Sequence, residues 1–77
     1  MTFNGDWWLE LNNYCQTNRL AWSKEERQTG PQAHPTWTIY VYINGVEYGR
    51  GSGLSKSSAR QEAAQRALRV LQPHLVG

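Results

Sequence analysis

The sequence predicts a small α+β domain whose elements run helix, three-stranded antiparallel meander, helix. Three observations carry this prediction: apolar residues at helical spacing near both ends of the chain, a clean two-residue alternation over residues 36–43, and Asn44-Gly45 immediately behind it. At 77 residues, with no repeat, low-complexity stretch or linker, the chain is one domain, expected to span residues 4–73. The single Cys15 excludes a disulfide framework, and with His34 and His74 as the only histidines a structural zinc site lacks ligands. The core must therefore form by apolar packing alone, to which four Trp and four Tyr contribute large buried areas.

The first helix is expected from a cap at Asn4 or Asp6 to about Asn18, with Trp7, Leu11, Tyr14 and Cys15 on one face and Leu9, Asn13 and Gln16 on the other. Around Leu20 to Gln28 an edge strand begins with Leu20 and Trp22 and runs out into charged residues, before Gly30-Pro31 breaks the chain. Thr36 to Ile43 is the clearest strand: Trp37, Ile39, Val41 and Ile43 share one face, Thr36, Thr38, Tyr40 and Tyr42 the other. Asn44-Gly45 suits a two-residue hairpin, so Val46 to about Ser52 returns antiparallel, with Glu47 across from Tyr42. Gly49, Gly51 and Gly53 recur at every second position, a sign of a bend or of close backbone approach.

Ser55 opens a second helix running to about Gln72, just ahead of Pro73. Ala59, Ala63, Ala64, Ala67, Leu68 and Leu71 form its apolar stripe, and Gln61, Glu62, Gln65, Arg66 and Arg69 its solvent side. Lys56 and Arg60 fall in the angular sector of the stripe but upstream of it, so this end is expected to overhang the core and project both cations past it.

The formal charge of +2 conceals an asymmetry, −2 over residues 1–48 and +4 over residues 49–77, which points to an anionic partner. Cations in the first turn of a helix also oppose its dipole, so Lys56 and Arg60 ask for another reason to be there. Glu62 and Arg66 are spaced as an ordinary surface pair. No apolar run approaches the ~18 residues of a membrane span, and the first residues lack the basic region of a signal peptide. An intracellular protein of cytoplasm or nucleus is expected, with no membrane partner.

Four features together resemble the double-stranded RNA-binding domain family: Leu11-Asn12-Asn13-Tyr14 with Gln16; Gly30-Pro31 and His34 ahead of Trp37; the Asn44-Gly45 hairpin; and Gly51-Ser52-Gly53-Leu54-Ser55-Lys56-Ser57-Ser58-Ala59-Arg60 running into Ala63-Ala64. The last is the most specific. It is similar to the family pattern Gly-x-Gly-x-Ser followed by a basic pair, a free position, Ala and a third basic residue. The resemblance implies an αβββα fold with both helices on one face of the sheet, and a double-stranded RNA partner read by shape. A-form RNA shows its 2′-hydroxyls across a shallow minor groove and hides its base edges in a narrow major groove, so a duplex reader needs minor-groove contacts separated by phosphate cations. By resemblance Leu9, Asn13 and Gln16 would meet one minor groove, the loop with Pro31, Gln32, Ala33 and His34 the next, and Lys56, Ser57 and Arg60 the phosphates between. Ser57 stands where the family has its second basic residue, which implies weaker binding, and the family histidine falls at Ala33, one place before His34.

No nucleophile, base and orienting group are spaced for catalysis, no phosphate loop is complete, and no cofactor is expected. Two other binding readings compete. In one, Tyr40 and Tyr42 on the open sheet face stack single-stranded bases. In the other, the domain is a protein-interaction or homodimerisation module using Tyr40, Tyr42 and Trp8.

Overall fold

The computed structural model describes residues 5–73 and contains α1 (Trp7–Thr17), β1 (Trp22–Thr29), β2 (Thr36–Ile43), β3 (Val46–Gly53) and α2 (Lys56–Leu71). The strands form one antiparallel sheet in the order β1-β2-β3. Asn44 and Gly45, at φ 52° and 81°, make the β2–β3 hairpin, and Tyr42 faces Glu47 as expected. Val41 faces Gly49, so Tyr48 is an extra residue in a β-bulge, and it still packs against the core.

β1 continues through the charged residues and pairs with β2 along its full length, Trp22 with Ile43 to Thr29 with Thr36. Alternation explains this. Lys24 and Glu26 lie on the helix side and pair at 3.4 Å, while Glu25 and Arg27 pair on the opposite side, so each charge in the strand has a partner two residues away.

The core joins Ile39, Val41 and Ile43 of β2 to Leu11 and Cys15 of α1 and to Ala59, Ala63, Ala64, Ala67 and Leu68 of α2. Burial raises the pKa of the Cys15 thiol and leaves it a small apolar core group. α2 lies directly on β3. A Cβ at Gly49 would come to 2.5 Å from the Ala63 carbonyl oxygen and 2.7 Å from the Ala67 nitrogen, and one at Gly51 would overlap the Ala59 carbonyl and Ala63 nitrogen. The every-second-residue glycines are thus the strand half of a backbone-to-backbone contact whose helix half is the alanine stripe. The Glu62 carboxylate accepts from the Ser52 N–H at 2.9 Å, satisfying a donor on the edge strand that Ser52 occupies.

α1 is fastened at its start. Asp6 is the N-cap, its carboxylate accepting from the Leu9 N–H at 3.1 Å; Asn4, the other cap expected, lies outside the described residues. Gln61, expected to face solvent, instead accepts from the Trp7 N–H at 2.7 Å and donates to the Asp6 carboxylate at 2.8 Å. The α1 N-terminus leaves backbone donors without helical partners, and α2 supplies one of the acceptors. The Gln61 amide, and then the Leu9 N–H, hold the Asp6 carboxyl below its ordinary value. A depressed carboxylate pKa gives stability that is complete above the unfolded value, near pH 4, and lost as pH falls through the lower folded one. Asp6→Asn is expected to reduce the Tm at pH 7 and to flatten its acid dependence below pH 4, measured by circular dichroism melts; parallel acid profiles for variant and wild type would refute the cap.

Candidate nucleic-acid interface

The β1–β2 connection turns at Pro31–His34, where the His34 N–H donates to the Pro31 carbonyl at 3.1 Å. Gly30, at φ 86°, enters this turn, and Pro31, Gln32, Ala33 and His34 are all exposed. The loop hands the chain directly to Thr36 and Trp37, and Trp37 pairs with Gly53 at the end of β3. α2 starts beside that same corner. Ser55 caps it by accepting from the Ser58 N–H at 3.1 Å, and the Lys56 ammonium lies 4.7 Å from the centre of the Trp37 ring. The exposed loop and the basic first turns of α2 are therefore neighbours.

α1 adjoins the other side of those turns. Its Trp8 ring lies 5.7 Å from the Arg60 guanidinium, and Gln61, the next residue of α2, holds the α1 start. Leu9, Asn13 and Gln16 project outward from α1, and Asn13 and Gln16 border a shallow groove of about 380 Å³ shared with Gln72, the residue that follows α2. Lys56 and Arg60 thus adjoin the loop through Trp37 and the start of α1 through Trp8, while Asn13 and Gln16 lie toward the other end of α2, beside Gln72.

The cations do not overhang the core as expected. Both fold back over β1 onto Glu26: Arg60 donates to its Oε2 at 2.6 Å, and the Lys56 ammonium lies 3.8 Å from its Oε1. The Arg60 hydrogen bond is the main reason the Glu26 carboxyl is held below its ordinary range, with Lys24 adding to it. This carboxylate also offsets the unfavourable helix dipole at Lys56 and Arg60. Ser57 is exposed on the same turn.

Lys24 and Glu26 belong to this cluster and were missed in the sequence, and Trp8, expected on an interaction surface, joins them. Trp8 is half-buried, stands edge-on to Trp22 at 5.5 Å and 74°, and carries Lys24 at 5.6 Å on its ring. Lys24 and Glu26 share a face with Trp22, which alternation could have revealed; their approach to α2 has no sequence signal.

Trp8 therefore cannot join Tyr40 and Tyr42 in one surface, because it lies among the helices and they lie on the open face. There Tyr40 and Tyr42 stack at 6.5 Å, and Arg27 and Arg50 approach the half-buried Tyr40 ring at 5.5 and 5.0 Å. Each arginine is paired in turn, with Glu25 and Glu47. The Glu62–Arg66 surface pair forms at 3.9 Å. Among the described residues no helix is long and apolar enough to cross a membrane.

The family model described as Double-stranded RNA binding motif matches residues 9–71. RNA-binding protein OPG065 of monkeypox virus is 33% identical over 66 residues, covering 86% of this chain and 43% of that protein. Ribonuclease 3 of Streptomyces coelicolor is 36% identical over 67 residues, covering 86% of this chain and 24% of the enzyme. The chain thus spans less than half the length of these relatives. A structure of Arabidopsis HYL1 superposes with a TM-score of 0.74 at 29% identity, covering 84% of this chain and 94% of that one.

Proposed function

The chain belongs to the double-stranded RNA binding motif family, and from that premise we propose that it binds double-stranded RNA by A-form shape and backbone, without catalysis of its own. One observation carries the reading furthest: the first turns of α2, with Lys56, Ser57 and Arg60, adjoin the exposed Pro31–His34 loop through Trp37 and adjoin α1, whose outward face carries Leu9, Asn13 and Gln16, through Trp8. Two groups of minor-groove contacts flanking one group of phosphate contacts is the layout a duplex requires, spanning about 16 base pairs. The dipole of α2 adds to the attraction, since its free N–H groups and positive end favour an anion there.

The unit proposed to bind is residues 4–73. Affinity is modest, because Ser57 contributes no charge and Glu26 already occupies the cations beside it. OPG065 is named an RNA-binding protein and ribonuclease 3 a nuclease, but the match to the enzyme covers 24% of its length; any reaction on RNA is assigned to other segments or partners.

A titration at fixed salt against duplex RNA, duplex DNA and single-stranded RNA tests the reading. Duplex RNA is expected to bind tightest. Preference for single strands would transfer the function to the Tyr40–Tyr42 face. No binding to any of the three, with a dimer in solution, would make the domain a protein-interaction module.

A further inference from the structure

Three cations, from two elements, converge on one carboxylate. The Lys24 ammonium and an Arg60 nitrogen approach the same oxygen of Glu26, Oε2, at 3.4 and 2.6 Å, while Lys56 approaches Oε1 at 3.8 Å. Two indole rings hold them there: Trp8 lies under Lys24 and Arg60, and Trp37 lies under Lys56. An anion with two oxygens a carboxylate's width apart is thereby gripped by Lys and Arg side chains, and a phosphodiester offers two non-bridging oxygens in a comparable arrangement.

We propose that Lys24 is a third phosphate-contacting residue, restoring from β1 the charge that Ser57 leaves out of α2, and that Glu26 is an internal anion which an RNA phosphate displaces from the cluster. The proposal rests on the duplex-RNA reading above.

Position and exposure support it. α2 packs on β3 and β2, and α1 packs on α2, so β1 is reached from the helix layer through the side chains of Trp8, Lys56 and Arg60. Lys24 stands on this less covered strand, between the α1 flank and the first turns of α2, with 40% of its side chain exposed. Glu26 retains 23% exposure, enough for water and counter-ions to meet it once its cations turn to phosphate. While it stays, its charge opposes an incoming phosphate, and like charges about 4 Å apart in water change an equilibrium roughly fivefold.

The test measures duplex RNA affinity across a potassium chloride series for the whole chain and for Lys24→Gln, Lys24→Arg and Glu26→Gln, each first matched to wild type by circular dichroism. Lys24→Gln is expected to weaken binding about five- to tenfold and to lower the slope of log affinity against log salt by about one, while Lys24→Arg keeps both near wild type. Glu26→Gln is expected to tighten binding about fivefold. Wild-type affinity and slope in Lys24→Gln would overturn the Lys24 role. Weaker binding by Glu26→Gln would make Glu26 a brace that positions the cations, and would overturn the displacement. If the wild-type chain ignores duplex RNA, the functional reading falls and takes this proposal with it; if wild type binds and the variants match it, the proposal alone falls.

Discussion

Gly51→Ala is expected to lower the Tm by about 10–20 °C. The added methyl would meet backbone, the Ala59 carbonyl and the Ala63 nitrogen, together with the Glu62 Cβ at 2.8 Å. Backbone atoms cannot swing aside as the end of a side chain can, so α2 must lift from β3 along its length. Overpacking of this kind costs about 2–3 kcal/mol, and in a domain of this size each kcal/mol moves the Tm by about 4–8 °C. Gly49→Ala should behave alike. Gly53→Ala should be milder, because the atom it meets most closely is the Ser58 hydroxyl and its nearest backbone neighbour, the Ala59 nitrogen, is 3.3 Å away. Thermal melts of the three variants decide the matter; a Gly51→Ala melt within a degree or two of wild type would falsify the close helix–strand packing.

Lys56→Ala combined with Arg60→Ala is expected to reduce duplex RNA affinity on the order of a hundredfold, since each charge-assisted phosphate interaction, held to the low end of its range by the competing Glu26, is worth roughly 1.5 kcal/mol. The salt dependence should flatten as well, because every phosphate left without its cation takes ~0.9 from the slope on duplex DNA and a comparable amount on RNA. The double variant keeps its fold, since Glu26 still has Lys24 and remains partly exposed to water. The converse change, Ser57→Lys, adds a cation on the exposed side of the same turn and should tighten binding several-fold with a slope steeper by about one. Unchanged affinity in the double variant removes α2 from the interface, and no tightening by Ser57→Lys places that position away from phosphate.

Much of the fold was legible because its signals are local. The alternation of β2, the positive-φ demand met by Asn44-Gly45 and the capping of α2 by Ser55 are each settled by a few consecutive residues. The glycine and alanine repeats were legible one at a time, as close approach on a strand and as a small-residue stripe on a helix; that the two are halves of one packed seam requires the strand and helix to be placed together. β1 was harder, since a run of Lys24, Glu25, Glu26 and Arg27 reads as a strand ending in solvent. Pairing within each face lets the strand continue.

For the interface, the residues on offer could be read from the chain alone: an outward α1 face, an exposed loop opened by Gly30-Pro31, and cations at the start of α2. Periodicity and turn chemistry fix the side of an element on which a residue stands, so these followed without coordinates. What those cations face is settled only once the elements are packed together. Glu26 is 34 residues from Arg60 along the chain, and no period or spacing links the two. The same holds for Gln61 reaching 55 residues back to Asp6, and for Trp8 turning inward to Trp22 rather than out to a partner. Side-chain periodicity is a property of one element, whereas charge compensation is a property of the surface where elements meet, and it is there that an internal carboxylate came to stand against the cations proposed to hold RNA phosphate.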